Sequence, residues 1–212
     1  MTEAEWLKSN DVISMVEYLK HKAVATPRKL FLFSCACLRR VLVDQPPILD
    51  LIEVAERFVE DPVTNEERRS AVANLDATQD LRSLTVNLVR HCLTATLAGV
   101  GAEMDLWHQA MATAACAKAA PETASRGTAL LRDIFLTPLI RRLPRIRPSW
   151  LTATVKQLAQ AIYEERAFDR LPILADALED AGCTNQNILN HCRQPGVHVR
   201  GCWVVDLVLG KE

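Results

Sequence analysis

The stretch LFLFSCACL at positions 30–38 is apolar on all sides, between Arg28–Lys29 and Arg39–Arg40. Thr26–Pro27 just before it is a helix start, with proline at its favoured first position. A helix without a polar face has to be surrounded by other elements. At nine residues the run falls far short of the ~20 that a membrane helix needs. It is therefore expected at the centre of a body built by the rest of the chain. Cys35 and Cys37 within it lie two apart, so a helix turns them roughly 200° away from each other. They are read as core residues, since free cysteine packs as a small hydrophobe.

The surrounding sequence supplies helices. Thr2 and Glu5 have capping-box spacing, as do Thr64 and Glu67. Asp11 can cap a helix whose stripe is Val12, Val16, Leu19 and Ala23, with Met15 beside it. After Pro46–Pro47, an amphipathic face runs through Ile48, Leu51, Ile52, Ala55, Phe58 and Val59, and Asp61–Pro62 ends it. A long helical region is expected from 64 to about 98. Another places Met104, Trp107, Met111 and Ala115 on one side, and a further helix spans 123–135. The segment TPLIRRLPRIRPSW packs three prolines and four arginines together and cannot continue a helix. Beyond it, Leu151, Val155, Leu158, Ala159 and Ile162 form a new stripe. Asp169 is expected to cap a helix that admits Pro172 in its first turn and stops at Gly182. A short helix over 185–193 follows, and the closing GCWVVDLVLG reads as a buried helix ending at Gly210.

The expected fold is all-α, a multi-helix bundle or array. A helical body over 1–136 is followed by a C-terminal helical cap over 149–212 packed back on it, or the whole of 1–212 forms one domain. Lysine and arginine total 25 against 26 acids, so no general attraction to nucleic acid or anionic membrane arises. Seven cysteines is an odd number with no disulfide framework, and MTEAEWLKSND lacks an apolar signal core. A cytoplasmic protein with free thiols is the expectation.

Chemistry is densest in CTNQNILNHCRQPGVHVRGCWVVDLVLG, which holds three cysteines and two of the five histidines. Zinc needs four ligands, and Cys183, Cys192, His198 and Cys202 are the quartet this stretch could offer. His191 and Cys192 are neighbours that a helix separates by about 100°, so one ligand set cannot readily use both. No C-x-x-C knuckle is present. The expectation is a structural seam without metal or cofactor. In it Cys192 packs beside Ile188 and Leu189, Cys202 and Trp203 anchor the closing segment, and His198 and Arg200 serve carbonyls at a helix end.

The 169–181 and 185–193 pair has the outline of a helix-turn-helix, with Gln186, Asn187, Asn190 and Arg193 as base-reading types. Yet residues 164–180 carry six carboxylates against Arg166 and Arg170, which repels phosphate. The arginines of the 138–148 loop (Arg141, Arg142, Arg145 and Arg147) are expected to face that acidic region internally. No G-x-S-x-G, Walker, G-x-G-x-x-G or H-E-x-x-H signature occurs, and catalytic residues are expected to be none.

MTEAEWL, LFLFSCACLRR, LLRDIF and above all LAQAIYEERAFDRLPILADALEDAGC with ILNHCRQPGVHVRGCWVVDLVLGKE resemble an uncharacterised protein family abundant in planctomycete bacteria. The resemblance covers both ends and is most specific in the C-terminal third. It implies a bacterial, cytoplasmic protein and carries over no catalytic residues. Where relatives have a glycine-containing loop after LLRDIF, this chain reads LTPLIRRLPRIRP. The function expected is a non-catalytic helical interaction or regulatory module whose partner is another protein. The alternatives are a small structural zinc module in the C-terminal third and a helix-turn-helix DNA binder.

Overall fold

The computed structural model describes residues 1–22, 25–41, 46–60, 64, 66–67, 70, 73, 110, 121–136 and 146–211. Among the described residues every regular element is helical, and the all-α expectation holds. None of their helices is long and apolar enough to cross a membrane. The elements are α1 (Glu3–Lys8), α2 (Val12–Lys22), α3 (Pro27–Val41), α4 (Pro46–Glu60), α5 (Pro121–Ile134), α6 (Ala153–Glu165), α7 (Leu171–Asp180), α8 (Gln186–Arg193) and α9 (Trp203–Leu209). Short 3-10 turns at Pro148–Trp150 and Phe168–Arg170 precede α6 and α7. The chain forms two compact units. One joins Met1–Lys8 to Ala129–Glu212, and the other is Ser9–Thr128.

In the Ser9–Thr128 unit, α3 is the buried helix its sequence requires. Every residue from 30 to 38 is inaccessible, including Cys35 and Cys37, and burial pushes the Cys37 thiol up to about 12. The hydroxyl of Ser34 donates back to the Leu30 carbonyl, so the one polar side chain in the run costs nothing unsatisfied. Thr26 receives the Lys29 amide at the start of the helix. Helix α4 packs beside α3, presenting Ile52 and Ala55. It also buries Glu56, which the stripe reading did not single out. The Arg39 guanidinium grips Glu56 through two bonds of 3.1 and 3.2 Å and Glu53 at 2.7 Å, while Arg28 meets Glu60 at 2.7 Å. The flanking arginines of the apolar run thus tie the two helices together at both ends. On α2, Val12, Met15, Val16 and Leu19 are buried as the stripe predicts, and Asp11 accepts from the Ser14 hydroxyl. The Thr64–Glu67 capping box forms in both directions. Apart from residues 64, 66–67, 70, 73 and 110, the helices expected within 64–98 and around Trp107 lie outside the described residues, as do Arg141, Arg142 and Arg145.

In the other unit, the Thr2–Glu5 box starts α1, and the Arg132 guanidinium donates to the Trp6 carbonyl at 3.0 Å. Thr152 caps α6, whose buried face is Val155, Ala159, Ile162 and Tyr163. Asp169 does not cap α7. Residues 168–170 already wind a 3-10 turn, so Arg170 takes the N-cap position with helical backbone and no side-chain cap. The extended geometry that a capping aspartate needs is lost. Pro172 sits in the first turn as expected, and Gly182 takes φ +87° at the stop. There the amides of Gly182 and Cys183 return to Glu179 and Leu178. Asn185 caps α8 through the amides of Asn187 and Ile188. Helix α9 ends at Gly210 in the left-handed region, φ +68°. Between these helices lies one apolar core that includes Leu174, Leu178, Ile188, Leu189, Cys192, Trp203, Val204 and Val208.

Candidate functional site

Four polar side chains interrupt that core. Asp133 comes from the last turn of α5, His191 from α8, His198 from the loop after it, and Cys202 from the residue that opens α9. One ligand atom from each lies within 4.8 Å of all the others. Asp133, His191 and Cys202 are 3%, 8% and 0% exposed, so any charge here must be balanced locally.

Asp133 is the hub. Its Oδ1 accepts from His198 Nδ1 at 2.6 Å and faces His191 Nε2 at 3.2 Å, while its Oδ2 accepts the Val199 amide at 2.9 Å. Trp203 settles the tautomer of His191. An indole N–H can only donate, and Trp203 Nε1 lies 3.0 Å from His191 Nδ1, so that nitrogen is bare. The proton of the ring then sits on Nε2, aimed at Asp133 Oδ1 and at Cys202 Sγ, 3.3 Å away. Burial alone would raise the Asp133 carboxyl, but the hydrogen bonds and charge of His198 and His191 outweigh it and hold it below the usual range. For His198, burial disfavours the imidazolium. The Asp133 bond and charge, with help from the Gln194 carbonyl, still carry its titration above the ordinary value. Burial, with the nearby Asp133 charge, drives the Cys202 thiol well above its ordinary range, and the amides of Val205 and Val204 offset only part of this. Between pH 3.8 and 6.5 these directions give an anionic Asp133, a cationic His198 and a protonated Cys202, and the Trp203 bond leaves the His191 ring with its proton on Nε2 alone. Their charges sum to zero.

This geometry does not suit nucleophilic catalysis. A Cys–His–Asp relay needs the thiol and the carboxylate on opposite ring nitrogens. Here both face Nε2 of His191, and Trp203 occupies the other side. The thiol is also held protonated, the reverse of an activated nucleophile.

Of the four residues that sequence offered as zinc ligands, His198 and Cys202 enter the cluster. Cys183 and Cys192 lie in the apolar core instead, and burial with neighbouring charge raises Cys192 to about 12. Their places are taken by Asp133 and His191. The divergence of neighbours on a helix operates as expected. Helix α8 turns His191 to the polar cluster and Cys192 into the core. Asp133 carried one signal, a lone carboxylate inside LLRDIF, where helical periodicity puts it among buried residues. Cys202 and Trp203 anchor the closing helix as predicted. Arg200 also serves a helix end, donating to the carbonyls of Tyr163 and Glu164 at the end of α6. His198 divides its ring: Nδ1 goes to Asp133, and the helix-end carbonyl that bears on it is that of Gln194, the C-cap of α8.

On the helix-turn-helix outline, Arg193 is held by Asp176 at 2.8 Å and Glu179 at 2.6 Å. Arg170 pairs with Glu165, whereas Arg147 lies over the Trp150 ring at 5.5 Å rather than against the acidic region. No protein-family model matches the chain, and no curated protein or solved structure matches it either.

Proposed function

We propose that this chain is a non-catalytic helical interaction or regulatory module, working in a bacterial cytoplasm on another protein. In this reading the Asp133–His191–His198–Cys202 group acts as an internal clamp. The observation that carries it is the direction of the Trp203 N–H. By fixing His191 with its proton toward Asp133, it commits the polar groups of the cluster to one another and leaves no activated thiolate. The clamp draws α5, α8, the loop after it and the start of α9 together. Exposed Leu7 and Ile173 are apolar side chains of the same unit that a protein partner could cover. DNA binding is the lesser reading, because the double ion pair of Arg193 engages the basic side chain of the would-be reading helix.

The test is thiol alkylation of the native protein by iodoacetamide at neutral pH, followed residue by residue. Cys202 should label only at the rate of unfolding. Rapid stoichiometric labelling of Cys202 in the folded chain would refute the clamp and restore a catalytic thiol.

A further inference from the structure

The clamp's four side chains are also a complete donor set for a tetrahedral transition metal: one sulfur, two imidazole nitrogens and one carboxylate oxygen. We propose that this cluster is a proton–zinc exchange site. One Zn2+ enters between Asp133, His191, His198 and Cys202, two protons leave, and Trp203 registers the change.

Geometry carries the argument, since one donor atom from each of the four side chains lies within 4.8 Å of all the others, and charge agrees with it. A buried site tolerates little net charge, and the proton-filled cluster is neutral with one anion and one cation. Zn2+ with two anionic ligands, the Asp133 carboxylate and a Cys202 thiolate, and two neutral imidazoles is neutral as well. The balance is closed. Zn2+ comes in, the Cys202 thiol gives up one proton, and the His198 imidazolium gives up its Nδ1 proton to become a neutral ligand. His191 releases nothing; its proton passes from Nε2 to Nδ1.

The distances allow it. With Zn–N and Zn–O of ~2.0–2.1 Å and Zn–S of ~2.3 Å, tetrahedral ligand edges run roughly 3.3–3.6 Å. The His191–Asp133 and His191–Cys202 separations, 3.2 and 3.3 Å, are already close to that size. The 2.6 Å His198–Asp133 contact has to open by under about 1 Å, and separations of up to 4.8 Å elsewhere in the set have to close by roughly 1 Å. The outer shell is in place on two sides. The Val199 amide holds Asp133 Oδ2. His198 Nε2 is buried beside residue 196, and the Gln194 carbonyl is the acceptor that bears on it. A ligating histidine needs such a partner for its second nitrogen. Trp203 is the exception. Once His191 carries its proton on Nδ1, the indole N–H faces another donor and must give way. This makes Trp203 a reporter that zinc bound elsewhere on the chain would not move.

The experiment uses the full chain, cleared of metal by a chelator and titrated with zinc chloride at pH 6. The proposal expects one zinc per chain, close to two protons released per zinc, and displacement of the Trp203 indole N–H resonance, assigned with Trp203→Phe. Cobalt(II) should give a thiolate-to-metal charge-transfer band that Cys202→Ser loses and Cys183→Ser keeps. If Cys202→Ser does not fold, the proton count and indole shift of the natural chain decide alone. Failure of the native protein to take up zinc, uptake that leaves the Trp203 indole unmoved, or binding that depends on Cys183 rather than Cys202 would each overturn it. The proton-filled starting state rests on the clamp reading. Refusal of zinc by a chain whose Cys202 resists alkylation removes this inference and leaves the clamp standing.

Discussion

Replacing Asp133 with Asn keeps size and shape, and removes one charge and one acceptor. The carboxylate takes three bonds, from His198 at 2.6 Å, His191 at 3.2 Å and the Val199 amide at 2.9 Å. An amide can turn its oxygen toward the two imidazoles only by setting its NH2 against the Val199 N–H. One buried donor is then orphaned, at about 1–3 kcal/mol, and the charge-assisted bond to His198 falls to an ordinary one, at about 1–2 kcal/mol more. The opposite flip is worse, because it confronts two ring donors with an NH2. The sum, roughly 2–5 kcal/mol, overlaps the ~3–5 kcal/mol that removing one partner of a buried ion pair usually costs. Urea unfolding followed by tryptophan fluorescence reads this directly. With a slope of about 2 kcal/mol/M, the midpoint should fall by roughly 1–2.5 M. Circular dichroism of the folded baseline should remain helical. A loss under about 1 kcal/mol would show that Asp133 is not the hub and that water replaces it easily.

Two further outcomes follow from the same reasoning. His198 titrates above its ordinary value of 6.5, so the stability it lends to the metal-free chain is full below that pH and is lost as pH rises through the folded value. Asp133 is depressed below 3.8, so its share is present above that pH and is lost as pH falls through the folded value. Stability against pH should therefore show a plateau between them, and His198→Gln should flatten its alkaline shoulder; an unchanged shoulder would remove His198 as its source. In the other unit, Arg39→Met removes the two bonds that Arg39 makes to the buried Glu56 and should cost about 2–4 kcal/mol, whereas Arg39→Met with Glu56→Met should recover most of it. A double variant as unstable as the single one, by thermal melts, would mean that the pair does more than satisfy itself.

Sequence made the elements legible wherever a local rule governs them. Capping boxes at Thr2–Glu5 and Thr64–Glu67, proline at the start of α3, and glycine after α7 and α9 all act within one turn of chain. The apolar run fixed its own burial because no face of it could meet water. Asp169 misled because a 3-10 turn reset the backbone one residue before the expected cap. The cluster was half legible. His198 and Cys202 stand in one stretch, but Asp133 lies 58 residues before His191, and only tertiary packing could bring it in. Nor could sequence tell which of the adjacent His191 and Cys192 faces the polar group. That choice is set by the direction in which α8 docks its apolar residues.

The Arg132 bond to the Trp6 carbonyl links residues 126 apart within one unit, and everything from Ser9 to Thr128 lies between the two pieces in sequence. During vectorial synthesis, the intervening segment can collapse while the partners of Trp6 are still untranslated. Trp6, fully enclosed in the finished protein, is left as an uncovered aromatic side chain for most of that time. Closure of this unit is a late, high-contact-order event, slow relative to the helices it joins. A nascent chain of this kind keeps Trp6 uncovered until residues 129–212 have been made, and closes over it last.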